Sequence, residues 1–91
     1  MTMKKTLLFK NIFISIYDDY ENERLFIQKR GSVSRGGYVR YDTMIGTPSN
    51  DEIIAIIEEL MDDMPYVAVM KTIEDYKSSN MFQEMEKLME E

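Results

Sequence analysis

The chain's hydrophobic pattern changes period once, near its middle. From Leu7 to Tyr17, Ile12, Ile14 and Ile16 alternate with Phe13, Ser15 and Tyr17. β-branched and aromatic residues dominate there, which predicts one strand over residues 7–17. Asp18, Asp19, Tyr20, Glu21 and Asn22 are polar and turn-like. Glu23 to Lys29 predicts a second strand, with Leu25 and Ile27 on one face and Phe26 on the other. The short connection makes these two strands an antiparallel hairpin. Gly31 to Gly37 has three glycines in seven residues and is expected to be a loop. A third strand follows from Tyr38 to Ile45, where Val39, Tyr41, Thr43 and Ile45 alternate with Tyr38, Arg40, Asp42 and Met44.

After Gly46-Thr47-Pro48 the period becomes helical. Ser49 followed by Glu52 has capping-box spacing, and Asp51 suits the positive end of a helix. Ile53, Ile57, Leu60, Met61 and Met64 form one stripe, which predicts an amphipathic helix over residues 50–63, stopped by Pro65. Residues 65–77 carry two patterns. Tyr66, Val69, Met70, Ile73 and Tyr76 fit a helical stripe, while Tyr66 to Met70 also fits a short buried strand. The helical reading is preferred. Asn80 with Gln83 repeats the capping pattern, and Phe82, Met85, Leu88 and Met89 form a narrow apolar stripe on a last helix. The expected fold is therefore a single α+β domain over residues 1–91: a three-stranded antiparallel β-meander followed by two or three helices packed on one sheet face.

Composition narrows the chemistry. The 91 residues include no His and no Cys. Disulfides, thiolate nucleophiles, triads that use His and the common zinc sites are thereby excluded. A carboxylate-bound hard cation is still allowed. Lys10 and Asn11 interrupt the first apolar run, so no signal peptide is expected, and no segment approaches the roughly 20 apolar residues of a membrane span. The expectation is a soluble cytoplasmic protein with no membrane contact and no cofactor.

The net charge of −6 is unevenly distributed. Residues 1–47 have eight basic and five acidic side chains, a charge of +3; residues 48–91 have three and twelve, a charge of −9. The basic side is tightest between Arg24 and Tyr41, where Arg24, Lys29, Arg30, Arg35 and Arg40 occur with Phe26, Tyr38 and Tyr41 and no acid. Such a stretch can contact phosphates or other anions and stack bases. It can equally pair with the acidic half of the same fold. The alternation sets Tyr38 and Tyr41 on opposite sheet faces, so the two cannot line one platform. Arg35 to Tyr41 resembles part of the RNP octamer of RNA-recognition motifs, over seven residues. It lacks the first aromatic of that pattern, and a short turn stands where that family has a helix, so the family is not carried over.

Four acids, Glu58, Glu59, Asp62 and Asp63, cluster on the first helix and form a candidate partner-binding face. The stripe Phe82, Met85, Leu88 and Met89 is a candidate apolar interface for a partner or a second copy. No residue is assigned a catalytic, cofactor-binding or metal-ligating role. The leading expectation is a small non-enzymatic interaction protein, an inhibitor, adaptor or regulator, using the acidic helical face, the basic hairpin or both. In general style only, it resembles the small acidic inhibitors of phage and mobile elements. The alternative is a nucleic-acid binder using Arg24, Lys29, Arg30, Arg35, Tyr38, Arg40 and Tyr41. A magnesium-dependent enzyme built around Asp42, Arg40 and Tyr41 comes third.

Overall fold

Asn11 divides the first apolar stretch. Its Oδ1 accepts hydrogen bonds from the backbone N–H of Phe13 at 2.8 Å and of Ile14 at 2.9 Å. This is the side-chain mimicry of a turn at which Asn excels. The segment expected as one strand over residues 7–17 is therefore two, β1 (Thr6–Lys10) and β2 (Ile14–Asp19). In the computed structural model, which describes residues 6–30, 36–40 and 49–90, the sheet has four strands rather than three. After a 3-10 turn at Tyr20–Asn22 come β3 (Arg24–Lys29) and β4 (Gly36–Arg40). Glu23 reaches β3 through the left-handed region, at φ 52°. All pairs are antiparallel and the order is β1-β2-β3-β4, a meander. Of the expected glycine loop, Gly36 and Gly37 belong to β4 and residues 31–35 lie outside the described residues, as do residues 41–45 of the expected third strand.

Three helices follow: α1 (Asn50–Leu60), α2 (Tyr66–Lys77) and α3 (Asn80–Glu90). Ser49 caps α1, its Oγ accepting from the Glu52 N–H at 3.2 Å. The helix ends at Leu60, three residues earlier than expected, and turns through residues 61–64. Residues 66–77 are helical, with the Pro65 carbonyl accepting from the N–H groups of Ala68 and Val69. At α3 the cap is Ser79 rather than Asn80: the Ser79 Oγ accepts from the Phe82 N–H at 3.2 Å.

Strand alternation sorts the sheet into two faces. Ile14, Ile16, Leu25, Ile27 and Val39 are buried against the helices, where Ile53, Ile57, Leu60 and Met61 of the α1 stripe meet them. α1 lies on β3 and β4, close enough that a Cβ on Gly37 would come within 3.1 Å of the Ile56 Cγ2. Tyr76 ties the layers together. Its fully buried ring meets Phe9 and Phe82 edge-on, and its hydroxyl donates to the Asn50 Oδ1 at 2.5 Å. Asn50 in turn donates to the Phe82 carbonyl at 3.1 Å and the Glu86 Oε1 at 3.2 Å, which pins α3 to α1.

The apolar stripe expected on α2 is corrected at its start. Tyr66 is 77% exposed and Met70 lies at the surface, while Ala68 and Thr72 turn inward. Thr72 is used there because Asn11 donates to its Oγ1 at 3.3 Å and to the Asp75 Oδ2 at 3.2 Å, docking the first hairpin on α2. No helix among the described residues is long and apolar enough to cross a membrane.

Candidate functional site

The second sheet face carries the odd members of the strand alternation. The register aligns Leu7 with Tyr17, Tyr17 with Phe26, and Phe26 with Tyr38, so one apolar row crosses all four strands. Among the described residues the helices lie on the other face, and Tyr38 is 45% exposed. The Tyr17 and Phe26 rings stack at 6.3 Å and 22°, and Phe26 and Tyr38 lie 5.0 Å apart at 34°. Cross-strand aromatic pairs of this kind stabilise a sheet by roughly 0.2–1 kcal/mol each. Phe26 also leans over Gly36: a Cβ there would fall 2.6 Å from its Cε1. The glycine thus makes room for the ring on the neighbouring strand.

The next row along the strands is Asp19, Arg24 and Arg40, in register on β2, β3 and β4. Arg24 donates from Nε to the buried Asp19 carboxylate at 3.2 Å, and its guanidinium lies 3.7 Å from the centroid of the Tyr38 ring. One salt bridge and one cation–π contact therefore hold it in a single orientation. Neither Nη atom of Arg24 has a hydrogen-bond partner among the described residues. Arg40 stands directly opposite, exposed, and none of the described carboxylates pairs with it. Two like charges directly across a ladder destabilise it. Where β4 meets α1, Tyr38, Val39 and Arg40 border an open groove of about 270 Å³, completed by Glu52, Ala55 and Ile56.

Other expected site residues are dispersed. Lys29 points to the helical layer and pairs with Asp63 at 2.7 Å, so one link joins the basic hairpin to the acidic turn after α1. The Arg30 Nη1 donates to the Asn11 carbonyl at 2.9 Å. Arg35 and Tyr41 lie outside the described residues, as does Asp42. Comparisons with protein-family models, with curated proteins and with solved structures each gave no match. The geometry therefore carries the functional argument.

Glu58, Glu59, Asp62 and Asp63 are all exposed, but only Glu58 and Glu59 lie on α1; Asp62 and Asp63, expected on the same helix, fall in the turn that follows it because the helix ends at Leu60. No basic residue occupies the last turn of α1, so the acids there oppose the helix dipole. Phe82 and Met85 do not form an outer stripe: Phe82 packs on Tyr76, and Met85 is buried with its Sδ 3.9 Å from the Tyr76 hydroxyl. The Leu88 and Met89 side chains lie outside the described residues. Among the described residues no three carboxylates come together to hold a cation.

Tyr17 was missed by sequence reasoning. The signal was present: Tyr17, Phe26 and Tyr38 each occupy the outward phase of their strands, where polar residues are usual. Only the split at Asn11 and the resulting register bring the three into line.

Proposed function

We propose that this chain is a small non-enzymatic binding protein that engages a partner protein through the open face of its sheet. The observation carrying this reading is the Tyr17–Phe26–Tyr38 row, flanked by Arg24 and Arg40, on the face away from the helices. Tyrosine, phenylalanine and arginine are the residues enriched at protein interfaces, and aromatic and arginine anchors dominate binding energies. The absence of His and Cys from the sequence favours binding over catalysis.

A base-stacking platform for nucleic acid is supported less well. Bases need free ring faces. Here Phe26 lies between Tyr17 and Tyr38, and the Arg24 guanidinium occupies a face of Tyr38. The net charge of −6 also opposes a polyphosphate. The test is affinity capture from nuclease-treated native lysate with the wild-type chain and with Tyr38→Ser. The expected result is a protein retained by the wild type and lost with the variant. Equal retention by both would reject the open face as the interface.

A further inference from the structure

We propose that Arg24, Tyr38 and Arg40 form an anion-binding corner on this face, built to receive a carboxylate from an acidic segment of the partner protein. The proposal rests on the open-face reading above and names the chemistry of what docks there.

The corner has three properties that a surface arginine pair ordinarily lacks. Arg24 is oriented before any ligand arrives, by Asp19 at its Nε and by the Tyr38 ring beneath its guanidinium. A planar guanidinium held this way loses little freedom on binding and presents its Nη edge, suited to bidentate contact with a carboxylate. Arg40 brings a second guanidinium directly across the ladder. Asp19 balances only one of the two charges, because none of the described acids pairs with Arg40. The row carries a surplus of one positive charge where an anion would relieve repulsion between the arginines. Tyr38, half exposed, places a phenol beside the same corner.

The occupant follows from the surroundings. Beyond Arg40 the groove against α1 is lined by Ala55, Ile56 and Glu52. A single oxyanion would leave its apolar lining uncovered. An extended acidic segment with apolar side chains between its carboxylates covers both. A polyphosphate strand fits less well, since it has no apolar side chains to cover Ala55 and Ile56 and the ring faces on which its bases would stack are taken.

The test is a titration of the full-length, isotopically labelled chain, following the arginine side-chain Nε–H resonances. The probe is a synthetic peptide alternating glutamate and leucine, blocked at both ends. A thymidine oligonucleotide is titrated separately. The expected result is movement of the Arg24 and Arg40 signals with the peptide. Affinity should be about tenfold lower for Arg40→Glu, and unchanged for Lys77→Glu on the exposed part of α2. Because Arg24→Ala would remove the salt bridge of the buried Asp19 and weaken the fold, Tyr38→Phe is the second variant; it keeps the ring under Arg24 and should retain most of the affinity. Unmoved arginine signals, or equal affinity in Arg40→Glu, would overturn the anion corner. Oligonucleotide binding as tight as peptide binding would overturn the choice of occupant in favour of a phosphate chain. So would dimerisation of the wild type, but not of Arg40→Glu, in favour of a second copy. If the peptide perturbs Tyr17 and Phe26 while leaving both arginines unmoved, the corner fails and the open-face reading stands. If the lysate partner is retained equally by Tyr38→Ser, the open-face reading itself fails.

Discussion

Replacing Arg40 with glutamine should make the free protein more stable, although it removes a positive charge from an acidic chain. Arg40 faces Arg24 directly across the β3–β4 ladder, on the same side of the sheet. Two unit charges about 7 Å apart repel by about 0.6 kcal/mol in water and about 2 kcal/mol at an effective dielectric of about 20. Asp19, 3.2 Å from the Arg24 Nε, offsets part of this. The net gain from Arg40→Gln is therefore about 0.5 kcal/mol, within the range measured for cross-strand pairs. Glutamine keeps most of the stem, so lost packing does not obscure the charge term. Global electrostatics predicts the opposite sign, since the net charge of −6 would grow more negative. Lys77→Gln supplies the contrast: Lys77 is the basic residue of the last turn of α2, and its loss should lower stability slightly. The assay is urea unfolding of all three proteins at low and at molar salt, comparing midpoints at constant slope. Screening over about 3 Å at molar salt should abolish the Arg40→Gln gain. A variant less stable than the wild type at low salt, or a gain indifferent to salt, would refute the local repulsion on which the anion corner depends.

Other outcomes follow from the same contacts. Tyr76→Phe leaves the buried Asn50 Oδ1 without its donor and should cost about 1–3 kcal/mol by urea unfolding. Burial, helped by the nearby Glu86 carboxylate, holds the Tyr76 phenol well above its ordinary value of 10.0. Its contribution is thus fully present below about pH 10 and is lost as pH rises beyond it, so wild-type stability should fall more steeply than that of Tyr76→Phe in alkali. Gly36→Ala places a Cβ 2.6 Å from the Phe26 Cε1 and should destabilise by about 1 kcal/mol; Phe26→Leu in the same chain should recover most of that loss if the ring is the cause. Asn11→Ala removes two turn hydrogen bonds and the link to Thr72 and Asp75, and should cost about 1–2 kcal/mol, read by thermal unfolding.

The helical half was legible because its signals are local. Ser49 with Glu52 and the Ile53–Ile57–Leu60 stripe act within a turn or two and hold in the structure, whereas Pro65, expected to stop the first helix, instead starts α2 after the chain has already turned at residues 61–64. The sheet half was legible in its alternation but not in its strand count. Asn11 lies inside an apolar alternating run that hides its local turn bonds to Phe13 and Ile14, and its links to Thr72 and Asp75 are distant in sequence. Tyr66 and Met70 misled for a related reason. Helical spacing alone cannot distinguish a core stripe from a surface one when Asn11 recruits Thr72 from the adjacent face. The candidate site depends on register, the least local feature of all. Arg24 and Arg40 were singled out as basic residues, but their direct opposition, and the alignment of Tyr17 with Phe26 and Tyr38, exist only once three strands are paired.

The contrast between the interior and the open face bears on function. Inside, polar groups are matched: Tyr76, Asn50, Glu86 and the Phe82 carbonyl complete one another, and Asn11 meets both Thr72 and Asp75. Such satisfaction is what a thin core requires, because an unmatched buried donor costs as much as several good contacts provide. On the open face the rule is broken twice. Aromatic rings lie outside a small core that has few to spare, and an arginine faces an arginine, with Asp19 on the far side of Arg24. The aromatic pairs add only about 0.2–1 kcal/mol each to the sheet, and the arginine pair works against the isolated chain. Glutamine or threonine at position 40 would serve the ladder better. Stability forgone at the arginine pair, in a molecule otherwise economical with its polar groups, is the physical observation that supports the proposed binding role of this face.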